Sequence, residues 1–285
     1  MPANRAVAAV ASLLAPPLPR RAWSPGSVAA TAVVWLACLG CLRPVAPAAP
    51  SSEPGCWSKA PLGRPDPLLI DDAENGDSRI IFQQGRGGFL YTFVDEEGSD
   101  VTPRSSLQGG QFLATAGGAH DSQCALNFRG QLVGGSAVFA GLGLDLTAPR
   151  AAYDASRYLG VAFVARHRPG TASRVRVLVV DTNTDPAGGS CAECYNHFGF
   201  DLDLGPEWQS YELPFAAFQQ MPGWGWPRPL NVDSRRLLGL TFLVTDPRRS
   251  YDVWIDDIRF FGNAPPSPPS PESSRFQLSR APAGD

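Results

Sequence analysis

From Leu68 to Phe261 apolar and polar residues alternate in short runs, broken repeatedly by Gly, Pro, Asn and Asp. A two-residue period of this kind is what a strand with one buried face produces. It predicts strands at Leu68–Ile70, Gly88–Val94, Cys124–Phe128, Ser136–Leu146, Leu159–Ala165, Arg174–Asp181, Phe198–Leu204, Trp208–Leu213, Leu238–Thr245 and Val253–Phe261. No segment sustains a 3.6-residue period, and single helical turns are expected only over Phe215–Gln220 and Val232–Leu237. Asp71–Asp77 reads as an acidic turn, Asp95–Asp100 as an acidic loop, and 101–120 as a long Gly-rich connection. Strands separated by turn signals, without alternating helices, predict an all-β fold: an antiparallel β-sandwich of two sheets.

The flanks differ in composition. The chain has 28 prolines among 285 residues, and they crowd residues 44–67 and 265–282. This divides the chain into an N-terminal segment 1–41, a Pro/Ala/Ser-rich linker 42–66, a globular domain 67–263 and a Pro/Ser-rich tail 264–285 expected to be disordered. Residues 27–40 are almost wholly apolar and follow Arg20 and Arg21, as in a signal peptide, and are too short to span a membrane as a helix. Ala37-Cys38 and Gly40-Cys41 each resemble a bacterial lipoprotein acceptor, with Cys41 favoured because the linker begins at once after it. Ordinary secretion with cleavage near Ala46–Ala49 stays open. The expected address is the cell envelope or the outside, with any membrane contact made only through a lipid anchor.

Charge and cysteines narrow the function. With 24 Lys+Arg against 27 Asp+Glu the formal charge is -3, which gives no basic footprint for nucleic acid. Cys56, Cys124, Cys191 and Cys194 lie beyond the N-terminal segment and imply disulfides, with three full pairings possible. Cys191-Ala-Glu-Cys194 has CxxC spacing. A zinc site would need two more soft ligands and finds only His197 nearby, and a redox motif would need a βαβ setting, so a local or cross-loop cystine is expected.

Five motifs in order carry a resemblance. Leu69-Ile70-Asp71-Asp72-Ala73-Glu74 resembles an opening DDFE strand, and Gly88-Phe89-Leu90-Tyr91-Thr92-Phe93 a WYTYND strand. Tyr153-Asp154-Ala155-Ser156-Arg157-Tyr158-Leu159-Gly160 is similar to a YDaSgytGi step, Trp208–Phe215 to a WqrytvPF strand, and Trp254-Ile255-Asp256-Asp257-Ile258 to a closing wiDDI strand. Together, over about residues 67–262, they resemble carbohydrate-binding modules of the galactose-binding-like jelly-roll fold, family 11 and its relatives. Two features depart from that pattern: Val94-Asp95 stands in place of the ND step, and no catalytic domain is recognisable beside the module.

A sugar binder needs flat aromatic platforms and planar polar groups on a rigid sheet. The candidates are Tyr91, Tyr153, Tyr195, His197, Trp224 and Trp226. Trp208 and Trp254 lie inside alternating strands and are expected in the core, whereas the parity of Tyr91 is open. The resemblance further implies a structural Ca²⁺ where the first and last strands meet, drawn from Asp72, Glu74, Asp256 and Asp257. No carboxylate pair flanking a cleft is legible, and His120, His167 and His197 have no Ser or Cys partner in a recognisable motif. The expectation is therefore non-catalytic binding of a polysaccharide such as a β-glucan. The alternative is a structural or protein-interaction lipoprotein of the envelope with the same fold and no sugar ligand.

Overall fold

The computed structural model describes residues 56, 66–105, 108–135, 137–247 and 249–263. The N-terminal segment 1–41 with Cys38 and Cys41, nearly all of the linker, and the tail lie outside the described residues.

Among the described residues there are eleven strands: β1 (Leu69–Asp71), β2 (Leu90–Val94), β3 (Thr115–Ala116), β4 (Cys124–Gln131), β5 (Ala140–Asp145), β6 (Tyr158–His167), β7 (Arg174–Asp181), β8 (Phe198–Asp203), β9 (Gln209–Pro214), β10 (Leu237–Val244) and β11 (Ser250–Gly262). They form two antiparallel sheets. One runs β3-β4-β11-β6-β9 with β1 paired to β11, and the other runs β2-β5-β10-β7-β8. All ten expected strands appear, and the two-residue β3 is additional. The strand expected from Ser136 begins only at Ala140. Phe215–Ala217 is a 3-10 turn as expected, whereas Val232–Leu237 is an irregular approach whose last residue already opens β10.

The alternation read from sequence is what fills the space between the sheets. Leu126 and Phe128 of β4, Val161 and Phe163 of β6, and Val253 and Ile255 of β11 meet Leu142 and Leu144 of β5, Val177 and Val179 of β7, and Leu240 and Phe242 of β10. Each such side chain contributes about 1.5–3 kcal/mol when fully withdrawn from water.

The core also holds a charge. Arg86 is completely buried. Its Nη2 donates to the carbonyls of Pro67 (2.9 Å) and Leu69 (2.8 Å), and its Nη1 to the hydroxyl of Tyr153 (3.0 Å). The guanidinium lies over the rings of Tyr153 and Phe260, and Phe260 stacks with Tyr158 at 4.5 Å. Tyr153, one of the proposed sugar platforms, is thus occupied inside the protein: its ring packs on Phe260 and its hydroxyl holds Arg86.

Trp254 and Trp208 depart from expectation. Both are half-buried and neither joins the core. Trp254 falls between the core-facing Val253 and Ile255, so period two turns it to the outer face of its sheet. There Arg166 of β6 lies over both indoles, 4.7 Å from Trp208 and 5.0 Å from Trp254.

Two disulfides close the chain locally and at long range, Cys191–Cys194 and Cys56–Cys124. The second ties Cys56 of the linker to the first residue of β4. Cystines of this kind fit an oxidising compartment.

Candidate functional site

The outer face of the five-stranded sheet is built on glycine. In β5, Ala140, Leu142 and Leu144 point into the core, which sends Gly141, Gly143 and Asp145 outward. The neighbouring β2 is in register with Tyr91 opposite Gly143 and Phe93 opposite Gly141. A Cβ at Gly143 would lie 2.6 Å from the Tyr91 ring, and one at Gly141 would lie 2.5 Å from the Phe93 ring. The two rings therefore rest on bare backbone, a close approach only glycine permits. Their centroids are 6.3 Å apart. This settles the parity of Tyr91: it faces outward, half-buried. Burial, with the nearby charge of Asp145 adding to it, pushes its phenol above the ordinary 10, so it keeps its proton and can donate.

Beside the rings lies a charge cluster that sequence reasoning did not find. Arg150 donates Nε to Asp145 (2.7 Å) and its two terminal nitrogens to Asp185 (2.9 and 3.1 Å). The bidentate fork fixes the plane of the guanidinium. Asp185 is positioned in turn by the amide of Ala187, which donates to Oδ1 at the start of the 3-10 turn Pro186–Gly188. Burial raises the carboxyl of Asp145 above its usual 3.8, a shift that Arg150 opposes.

Tyr195 and His197 come from the segment leading into β8. Tyr195 has a positive φ of 74° and feels the charges of Asp185 and Arg150, while burial is the main cause of its raised phenol. His197 stands edge-on to it at 6.2 Å, and its Nδ1 is 2.9 Å from the Thr184 hydroxyl. Burial lowers His197 to about 4, so the ring is neutral at pH 7 and can both donate and accept.

Trp224 and Trp226 lie on an adjoining loop. Asn196, buried, donates to the carbonyls of Met221 (2.9 Å) and Trp224 (2.6 Å) and accepts from the Met221 amide. Gly225, at φ 88°, passes so close that a Cβ would meet Asn196 at 2.7 Å. Trp226 is 64% exposed. The loop reaches the sheet through Arg176, which donates to the Gln219 carbonyl and to Asp201 at 2.8 Å each. Of the six expected binding residues, then, Tyr91, Tyr195 and His197 share the surroundings of Arg150 and Asp185, Trp224 and Trp226 lie on an adjoining loop, and Tyr153 is half-buried, packed against the core and bonded to Arg86.

The acidic residues near the first and last strands separate into two groups. Glu74 Oε1 accepts from the amides of Gln123 and Cys124 at 2.7 Å, Asp72 accepts from the Glu74 amide, and Asp257 pairs with Arg259 at 3.1 Å. Asp71 and Asp256 behave differently. Asp71 Oδ1 accepts from Ala73, but its Oδ2 is buried without a partner. Burial pushes Asp71 well above the usual carboxylate range, with Asp72, Asp77 and Asp256 adding to it. Burial likewise raises Asp256 to about 7. Among the described residues no three His, Cys, Asp or Glu side chains converge on one point. At this corner an oxygen-seeking cation would meet the buried, unpartnered Asp71 Oδ2, whereas both oxygens of Asp256 already accept main-chain amides, from Ala119 and Asp257 at 2.8 Å, so main-chain carbonyls and water would have to complete its shell.

No known family model and no curated protein matches this sequence. Solved structures with a similar fold include the family 11 carbohydrate-binding module of the cellulosomal cellulase Lic26A-Cel5E of Clostridium thermocellum. It is 15% identical, with 70% of this chain and 96% of that chain covered and a TM-score of 0.47. The family 30 module of cellulase Cel9D-Cel44B of the same organism is 13% identical, with 70% and 98% covered and a TM-score of 0.47. An exo-beta-agarase is 15% identical, with 70% of this chain but 25% of that chain covered and a TM-score of 0.43.

Proposed function

We propose that the outer face of the five-stranded sheet binds a neutral polysaccharide without catalysis, and that β-glucans are the class to try first. The observation that carries this reading is the pair of outward rings, Tyr91 and Phe93, resting on a glycine floor beside the Arg150 clamp. Sugar rings present C–H faces that stack on such rings, and hydroxyls that a planar guanidinium and its carboxylates can bracket. A non-catalytic role is supported by the state of the two carboxylates. Asp145 and Asp185 converge on one guanidinium and are not set against each other across a cleft, as the two carboxylates of a hydrolase are. Trp226 and Tyr195 extend the surface for a chain longer than one ring. Calcium belongs to the proposal as a brace at Asp71 and Asp256, where it would tie β1 to β11 and neutralise the two carboxylates. Export, with or without a lipid on Cys38 or Cys41, completes it.

The test is affinity electrophoresis and calorimetry of the full chain against mixed-linkage glucan, cellulose oligomers and agarose. Tyr91→Ala should weaken binding by about 1–3 kcal/mol, the usual worth of a buried aromatic anchor. Unchanged affinity in a folded Tyr91→Ala protein removes this face from the site.

A further inference from the structure

We propose a second site, on the opposite sheet, that takes the oxyanion of an acidic polysaccharide, a uronate carboxylate or a sulfate ester. It surrounds Arg166. The guanidinium lies beside both the Trp208 and the Trp254 indole, 4.7 and 5.0 Å from their ring centroids. Its Nε is buried with no partner. The ion pairs among the described residues include neither Arg166 nor the neighbouring Arg129. Arg168 makes one long contact, 3.8 Å, with Asp252, whose other oxygen accepts from Asn127 at 2.8 Å. Three arginines thus line the hollow with one carboxylate, which already has its own partner.

These groups line a hollow of about 270 Å³, which Pro169, Pro206 and Trp254 wall on the apolar side. That volume is near the lower bound of small-ligand sites, about 300 Å³. It suits one charged sugar unit with its C–H face against proline and indole. An arginine already packed on aromatic rings loses little freedom when it binds a planar or tetrahedral oxyanion, which makes it a good anion receptor. The site shares no residue with the glycine-floored face and does not depend on the reading of that face.

The test is titration of the full chain with trigalacturonate, with a sulfated galactan oligosaccharide and with oligoglutamate, with cellotetraose as the uncharged control. Indole fluorescence and calorimetry are followed at low and high salt. Saturable binding of one acidic sugar is expected, and which one distinguishes carboxylate from sulfate. Arg166→Gln should lower that affinity at least tenfold, Arg129→Gln by a smaller factor, and the distant exposed Arg235→Gln not at all. Arg129→Gln keeps the test open should Arg166→Gln fail to fold. Failure of both acidic sugars to bind a folded chain, equal binding by the wild type and both site variants, or binding of oligoglutamate alone would each overturn the proposal.

Discussion

Replacing Arg150 by methionine is the most exacting probe of the clamp, because its consequences can be worked from distances. Methionine keeps much of the aliphatic stem but deletes three charge-assisted hydrogen bonds, one to Asp145 and two to Asp185. The carboxylates left behind are sheltered, at 18% and 7% side-chain exposure, whereas Arg150 itself is 31% exposed. Breaking a fully buried pair costs about 3–5 kcal/mol, and an exposed pair is worth at most about 1. Intermediate exposure places Arg150→Met at about 2–3 kcal/mol, or about 5–10 °C in Tm for a domain of this size.

The deficit should depend on pH. Burial already holds the Asp145 carboxyl above 3.8, and Arg150 is what pulls it down while Asp185 pushes it up. Without the arginine it rises further. A carboxyl that protonates more readily folded than unfolded loses stability as pH climbs from the unfolded value through the folded one. The gap between wild type and variant should therefore be small near pH 4 and widen toward pH 7. Adding Asp185→Asn to the variant keeps the contact with Ala187 and removes one of the two repelling charges, and should recover about 1 kcal/mol at pH 7. Chemical denaturation at several pH values reads all three quantities. A deficit below about 0.5 kcal/mol at pH 7, or no recovery in the double variant, would refute the clamp as a buried, coupled unit.

Three further outcomes are expected. Gly143→Ala puts a methyl where the Tyr91 ring now lies, at 2.6 Å, so the ring must lift; glucan affinity should fall about tenfold, an estimate set by the worth of one aromatic anchor, with little loss of Tm. His197, lowered to about 4 by burial, prefers the neutral form when folded, so its contribution to stability is complete above the unfolded 6.5 and declines as pH falls from there toward 4; His197→Asn should flatten the acid limb of a Tm-against-pH curve. Calcium at about 100 times its Kd should add about 2.7 kcal/mol and chelation should remove it; Asp71→Asn should abolish this response while leaving the chelated protein at least as stable, because the folded protein already disfavours the Asp71 charge.

What the sequence revealed and what it hid divide by distance along the chain. Strands were legible because alternation is local: Arg174–Asp181 matches β7 to the residue. The face a strand presents was legible only where one parity was wholly apolar. In β11 Val253 and Ile255 show the core side, and Trp254 between them belongs outside, although its place inside an alternating strand argued for burial. Ala140–Asp145 carried a readable signal that went unused. Glycine at two successive outward positions, 141 and 143, opposite a strand with aromatics at both of its outward positions, specifies rings resting on backbone. Thr115–Ala116 was hidden because two residues ahead of a Gly-Gly step have no period. The Arg150–Asp185 fork was hidden for a different reason. Its members are 35 residues apart, and nothing local to either marks the other as its partner. Only closure of the sheet brings them together. Arg86 is the same case inside the core, where an arginine with no local partner finds two carbonyls and a tyrosine hydroxyl supplied by distant segments. Fold is written mostly in short-range periodicity, whereas the polar chemistry of this protein is written in pairings that exist only once the sheets have formed. Function was therefore less legible than architecture, and three of the six aromatic or histidine candidates fell within the surroundings of a cluster the sequence had not disclosed.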